Sequence, residues 1–159
     1  MPRVLSALLF LAAGATLAQE GEIAPRVPIG RLPDEIGESS GIDRQGDVFW
    51  THNDSDNPPV LYAIDRSGAV LRTLDLGDLG IENVDWEDLA VDGDAIWIGE
   101  IGDNKRVRDV LEVHRVVLEE DGPSVTTLRF SYPDARHDAE ALFVRDGRLW
   151  VISKAREGY

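Results

Sequence analysis

An internal repeat of about 50 residues restricts the folds open to this chain. Each copy begins with a glutamate at the start of a short apolar segment, turns at a glycine and returns through a segment that contains a tryptophan. Glycine suits such turns because it tolerates the positive φ that tight hairpins require. The three copies place these residues at Glu38, Gly46 and Trp50, at Glu87, Gly93 and Trp97, and at Glu140, Gly147 and Trp150.

The first two copies continue beyond the hairpin. Residues 61–65 and 110–118 read as third strands, and residues 70–76 and 125–132, which alternate apolar and polar side chains, read as fourth strands. No segment after residue 18 shows a sustained helical period. Four antiparallel strands in each repeat are typical of a β-propeller blade. A β-sandwich is the alternative, but a sandwich does not require Glu, Gly and Trp to recur in phase.

The repeats predict an all-β chain in the form of an incomplete β-propeller. Residues 38–76 would form one four-stranded antiparallel blade, residues 87–132 a second, and the third copy only half a blade. Propellers close with about four to eight blades. We therefore expect residues 38–159 to be the N-terminal part of a longer propeller, and residues 19–37 to be an N-terminal segment that could complete its last blade. An assembly of incomplete rings is the alternative.

The first 18 residues have the form of a secretory signal peptide. Arg3 precedes an uncharged run rich in Leu and Ala, which is shorter than the roughly 20 residues that span a bilayer, and small residues precede Gln19. A buried N-terminal helix is the alternative. We expect cleavage after Ala18, no membrane span afterwards, and a bacterial periplasmic or secreted location.

Charge and cysteine content exclude several classes of function. The chain has 30 acidic and 16 basic residues and a formal charge of −14, which disfavours nucleic acid as a partner. It contains no cysteine, which excludes disulfides, thiolate metal sites and a cysteine nucleophile.

Antiparallel pairing brings the polar residues of the repeats to one rim. The start of the first strand and the end of the second strand of a hairpin lie at the same end, which in a propeller faces the mouth of the central channel. Clustered carboxylates repel one another unless a cation or protons neutralise them, and oxygen donors favour calcium. The sequence thus predicts a calcium site with ligands drawn from Glu38, Asn53, Asp54, Glu87, Asp103, Asn104 and Glu140. The alternative is that these loops are solvated turns.

The repeated tryptophans have two interpretations. Trp50, Trp97 and Trp150 are predicted to pack between blades; stacking on a ring-shaped substrate is the alternative.

Five segments of the chain carry a distinctive pattern: Glu38-Ser39-Ser40-Gly41, Trp50-Thr51-His52-Asn53-Asp54-Ser55, Asp85-Trp86-Glu87-Asp88-Leu89-Ala90, Ile98-Gly99-Glu100-Ile101-Gly102-Asp103-Asn104, and Tyr132-Pro133-Asp134 through His137-Asp138-Ala139-Glu140-Ala141-Leu142. These motifs resemble a group of exported bacterial β-propeller proteins that is distantly similar to phytase-like and esterase-like propellers, some of which bind calcium. In that group an aspartate is more usual at the position of Glu100, which puts a ligand role there in doubt. The resemblance implies phosphoester hydrolysis by metal-activated water, with Glu38, Glu87, Asp103 and Glu140 as rim carboxylates. The resemblance covers most of residues 36–154.

Two functions follow from these features. The first is a module that binds a peptide, glycan or partner protein at the channel mouth; few basic residues and no nucleophile motif favour it. The second is a calcium-dependent hydrolase of phosphate or other esters. In the hydrolase, Glu87 and Glu140 would be ligands or general bases, His52 or His137 would carry protons, and Lys154 would contact an anion.

Overall fold

The computed structural model describes residues 28–154, which are mostly β-strand. They form two four-stranded antiparallel sheets, each in chain order, and a two-stranded hairpin. The first sheet contains β1 (Ser39–Gln45), β2 (Val48–Asn53), β3 (Val60–Ile64) and β4 (Val70–Asp75). The second contains β5 (Trp86–Asp92), β6 (Ala95–Glu100), β7 (Leu111–Glu119) and β8 (Gly122–Phe130), and the hairpin contains β9 (Ala139–Arg145) and β10 (Arg148–Ser153).

The predicted all-β fold of antiparallel four-stranded sheets is confirmed. Residues 28–33 form no strand, and short 3₁₀ turns at Asp34–Ile36 and Gly77–Leu79 are the only helical segments between residues 28 and 154. No helix within the described residues is long and apolar enough to cross a bilayer. The predicted signal peptide lies outside the described residues.

The sheets are packed side by side through their first strands, with β1 beside β5 and β5 beside β9. Alternation along each strand sends one set of side chains towards the preceding sheet and the other towards the following sheet. Trp50 thus packs with Leu89 and Ile98 between the two large sheets, and Ala90 packs with Leu142 between the second sheet and the hairpin. Burial of these apolar faces holds the row of sheets together.

Carboxylates on the first strands also bind the neighbouring backbone. The Asp43 carboxylate accepts a hydrogen bond from the Val91 N–H at 2.7 Å. Asp88 accepts one from the Leu142 N–H at 2.8 Å and another from the Leu89 N–H at 2.9 Å. Because adjacent first strands do not form a ladder with each other, these side chains satisfy backbone donors that would otherwise remain unpaired.

Replacement of Asp88 by Ala is expected to lower the free energy of unfolding by about 1–3 kcal/mol, because it leaves the Leu142 N–H without its acceptor between two packed strands. Urea denaturation measures the change. Asp92→Ala, at the exposed end of the same strand, is the matched control and should change stability by less than about 0.5 kcal/mol. Equal effects of the two substitutions would contradict this account of the contact between the sheets.

The three repeated tryptophans occupy one structural position but differ in environment. Trp50 is buried between the two large sheets, and Trp97 is partly buried against the hairpin, as predicted. Trp150 is 48% exposed and lies flat against Phe143. The difference arises because no further sheet follows the hairpin within residues 28–154.

Candidate functional site

A β-bulge directs Glu87 towards the rim of the sheets. Trp86 pairs with Glu100 and Asp88 pairs with Gly99, so Glu87 is the extra residue and has no partner opposite it. A bulge of this kind changes the direction of the side chain that it inserts. Glu87 therefore leaves the alternation of the strand at the point where the strand enters the sheet.

The hairpin repeats the same bulge around Glu140. Ala139 pairs with Ser153 and Ala141 pairs with Ile152, which leaves Glu140 without a partner. The two glutamates therefore occupy equivalent places in adjacent sheets.

Side chains from four loops and strand ends meet at this rim. Asp54 follows β2, and Asp85 precedes β5; their oxygens and one oxygen of Glu87 lie within 4.8 Å of one another. We call these three residues the open cluster. Glu87 also belongs to a second group, the lysine cluster, in which its oxygen lies within 4.8 Å of oxygens of Asp138 and Glu140.

Lys154 distinguishes the two clusters. Its ammonium contacts the Glu140 carboxylate and lies 3.3 Å from the Asp138 carboxylate. The hydrogen bond to Glu140, followed by that to Asp138, raises the pKa of Lys154, so the ammonium stays charged. In the described part of the chain, no salt bridge involves Asp54, Asp85 or Glu87. Lys154 thus offsets one of the three negative charges of the lysine cluster, whereas no salt bridge within residues 28–154 offsets the charge of the open cluster.

The charge imbalance is greatest at Glu87. Desolvation, reinforced by the neighbouring charges of Glu140, Asp85 and Asp54, raises the pKa of the Glu87 carboxyl to about 8. Desolvation, with the charges of Glu100 and Asp54, also raises the pKa of Asp85. Without a cation, the site therefore holds a proton near neutral pH, and a bound cation would compete with that proton.

The metal-free protein is expected to lose stability as the pH rises from 7 to 9. The folded-state pKa of Glu87 lies above its ordinary value of 4.5, so the stability gained from that proton is complete below pH 4.5 and is lost as the pH passes through about 8. Burial lowers the pKa of His52 and His114, so these two histidines make stability rise with pH. They do so only below about pH 6.5, which lies outside this range. Because Glu87 is only partly buried and is screened by solvent, we expect a loss on the order of 1 kcal/mol.

Urea denaturation in the presence of a chelator, repeated across this pH range, tests the expectation. The Glu87→Gln variant should show a flatter profile between pH 7 and 9. A parallel decline in both proteins would show that another group is responsible.

Gly102 forms the floor beneath the open cluster. Its N–H donates a hydrogen bond to the Asp85 carbonyl at 3.1 Å. A Cβ at position 102 would overlap the carboxylates of both Asp85 and Glu87. The sequence interpretation missed this residue, because the glycine approaches those side chains only after β5 and β6 have paired.

Glu100 positions Asp85 from below the rim. This buried carboxylate accepts hydrogen bonds from the N–H groups of Val84 and Asp85, both at 2.9 Å, and forms a 2.7 Å ion pair with Arg108. Its oxygens are therefore occupied in holding the loop that precedes β5. The reach of a glutamate suits this task.

Two predicted ligands instead fasten loops. The buried Asp103 carboxylate accepts hydrogen bonds from the Val107 N–H at 2.9 Å and the Arg108 N–H at 2.8 Å. The Asn53 amide accepts one from the Glu38 N–H at 3.2 Å and donates one to the Glu35 carbonyl at 2.9 Å. Asp103 belongs to neither cluster.

Glu38 and Asn104 lie at the margin of the site. The Glu38 carboxylate accepts a hydrogen bond from the Asn57 amide at 2.7 Å, outside both clusters, and the Asn104 oxygen lies 3.5 Å from the Lys154 ammonium. Strand pairing also shows that the alignment of Glu38 with the other two glutamates is wrong. The residue five positions before the last paired residue of each first strand is Ser40 in the first sheet, Glu87 in the second and Glu140 in the hairpin. These three residues are therefore equivalent in structure.

The two predicted proton carriers do not belong to the clusters. His52 is fully buried, with Nδ1 2.8 Å from the Asn53 carbonyl and its ring edge-on to Trp86. His137 lies on the loop before β9, with Nε2 3.0 Å from the Asp134 carboxylate. The structure therefore brings together Asp54, Glu87, Glu140 and Lys154 from the predicted set, and adds Asp85 and Asp138.

Comparison with family models, with curated proteins and with solved structures found no match to this chain.

Proposed function

We propose that this chain contributes blades to a β-propeller and that the open cluster on the rim binds a divalent cation, which in turn holds a ligand through its oxygen atoms. The propeller interpretation is supported by the side-by-side packing of sheets through their first strands, since the innermost strands of propeller blades are neighbours around the channel. An exported location is part of the proposal and rests on residues 1–18.

One observation carries the cation site: three carboxylates converge within 4.8 Å of one another, and no salt bridge within residues 28–154 balances them. All the donors are oxygens, which favours Ca²⁺ over Zn²⁺. Three carboxylates supply at most six oxygens, and Ca²⁺ accepts six to eight. Positions would therefore remain for water or for a carboxylate, phosphate or hydroxyl oxygen of a peptide, glycan or ester.

Hydrolysis of an ester is the second candidate function. The observation that favours it is the raised pKa of Glu87, since a carboxyl that titrates near neutral pH can act as a general acid or base. A cation beside it would lower the pKa of a bound water. Binding is our main proposal because neither His52 nor His137, the two candidate proton carriers, belongs to the clusters.

Isothermal titration of the chelator-treated protein with CaCl₂ and with MgCl₂ tests the cation site. Calcium is expected to bind and, at 100 times its dissociation constant, to stabilise the fold by about 2.7 kcal/mol. Glu120→Gln, an exposed glutamate beside the β7–β8 turn, is the control and should bind calcium like the wild type. The proposal is overturned if millimolar calcium gives neither binding heat nor a change in the midpoint of thermal unfolding.

Assays with p-nitrophenyl phosphate and p-nitrophenyl acetate, with calcium and with chelator, distinguish the two functions. Calcium-dependent turnover that Glu87→Gln abolishes would establish the hydrolase. Calcium binding without turnover of either ester would favour the binding module.

A further inference from the structure

A polar cavity lies beside the second sheet. Its volume is about 540 Å³, which is within the range of small-molecule sites. It is lined by the loop between β4 and β5 at Ile81 and Val84, by β7 at Glu112 and His114, and by β8 at Thr127. Glu112 and His114 belong to neither the open cluster nor the lysine cluster. We call this space the side cavity.

A buried histidine forms the floor of the side cavity. His114 is only 2% exposed, and its Nδ1 lies 2.9 Å from the Thr127 hydroxyl oxygen. Its Nε2 has no hydrogen-bond partner within residues 28–154. Burial lowers the pKa of His114, so the ring is neutral near pH 7. When Nδ1–H donates to Thr127, Nε2 carries a lone pair, and a buried acceptor of this kind is unfavourable until it receives a donor.

Glu112 places a second acceptor beside that nitrogen. Its Oε2 lies 3.9 Å from His114 Nε2, while its Oε1 accepts a hydrogen bond from the Arg129 Nε–H at 2.7 Å. One donor atom about 2.8 Å from each can therefore bridge Oε2 and Nε2. An ammonium group suits this place because it has three donors and no acceptor.

The charge and the walls of the side cavity favour a cation with an apolar part. Its charged residues are Glu82, Glu100, Arg108, Glu112 and Arg129. The two arginines are paired with Glu100 and Glu112, so one negative charge is in excess. Val84 and Val110, also in the lining, are 54% and 48% exposed. A singly charged cation with a short hydrocarbon chain would offset the excess charge and cover these valines.

We propose that the side cavity binds a small aliphatic primary amine. The ammonium group donates hydrogen bonds to Glu112 Oε2 and His114 Nε2. The hydrocarbon chain packs against Val84 and Val110. A free alkylamine and an α-amino acid share this chemistry, and the carboxylate of an amino acid would take the remaining N–H donors of Arg129. The proposal goes beyond the cation site on the rim and does not depend on it.

Titration of the full chain with n-butylammonium chloride in chelator, followed by NMR of the histidine ring C–H groups, tests this proposal. The chain has three histidines, so each can report separately. We expect the His114 resonance to shift with a dissociation constant on the order of 1 mM, as suits a ligand of this size, while that of His137 does not move. L-Norleucine, an amino acid with the same butyl chain, distinguishes the two sources, because the probe that binds more tightly identifies the class of ligand.

Two further probes separate the ammonium group from its parts. 1-Butanol has the chain without the charge, and tetramethylammonium chloride has the charge without N–H donors. Each should bind at least about tenfold more weakly than n-butylammonium. Equal binding of either probe would overturn the proposal, as would the absence of any His114 shift at about 50 mM n-butylammonium.

The Glu112→Gln variant keeps the shape of the side chain but removes its charge, and should weaken n-butylammonium binding at least about tenfold. Glu119→Gln, at the far end of β7, is the matched control and should bind like the wild type. Unchanged affinity in Glu112→Gln would place the amine on other carboxylates, such as those of the rim, and would overturn the proposal. Circular dichroism checks that both variants are folded. If Glu112→Gln is not, the comparison of n-butylammonium, 1-butanol and tetramethylammonium on the wild type still decides.

Discussion

Glu87→Gln is expected to weaken calcium binding on the order of 100-fold, because it removes a carboxylate ligand that both clusters share and halves the oxygens available at that position. The same substitution should stabilise the metal-free protein at pH 8, on the order of 1 kcal/mol, because it removes the charge that Asp54, Asp85 and Glu140 repel. The two effects have opposite signs, and a general loss of structure cannot produce both.

Isothermal titration with calcium and urea denaturation in chelator, both at pH 8, measure the two effects. Glu120→Gln removes one charge from the opposite end of the second sheet and should produce neither. Wild-type calcium affinity in Glu87→Gln would exclude the open cluster as the cation site. A Glu87→Gln protein that is less stable than the wild type without metal would contradict the repulsion inferred at the rim.

Gly102→Ala is expected to weaken calcium binding by at least about tenfold although it removes no ligand. The new methyl group would occupy the space of the Asp85 and Glu87 carboxylates, so both would have to move apart. Gly102 does not have a positive φ, so the backbone accepts alanine and the effect is steric. The shifts needed to accommodate the methyl group should also reduce the free energy of unfolding of the metal-free protein by about 1–3 kcal/mol.

Calcium titration and urea denaturation again provide the measurement. Gly37→Ala is the control, because that glycine also has a negative φ and its added Cβ would meet only the Asp34 carbonyl, at 3.2 Å. It should leave calcium affinity unchanged. If Gly102→Ala binds calcium like the wild type, Asp85 and Glu87 do not hold the cation in the arrangement described.

The sequence was sufficient to predict the strands and the rim. Hairpin geometry is local: Gly46, Gly93 and Gly147 all adopt the positive φ that the turns require, and the apolar segments on either side pair with each other. Antiparallel pairing then brings the start of one strand and the end of the next to the same edge. This reasoning correctly brought Asp54, Glu87, Glu140 and Lys154 together.

The glutamate of the first repeat was aligned in the wrong register. Glu38 resembles the other two glutamates in sequence, but it lies two residues farther from its turn. Strand pairing places Ser40 opposite the same part of the hairpin, and the Ser40 hydroxyl binds the Glu87 carbonyl rather than a cation. The spacing from glutamate to tryptophan carries the signal that was missed, because it is 12 residues in the first repeat and 10 in the other two.

Which polar side chains remain free was decided only by the tertiary structure. Asn53 and Asp103 look like ligands in sequence, yet each is hydrogen-bonded to a backbone N–H that folding brings near it. His52 is excluded from solvent because Trp86 of the next sheet packs against it. Local pattern thus determined the strands and the end at which the acids lie, whereas contacts between distant segments determined which oxygens are left for a cation.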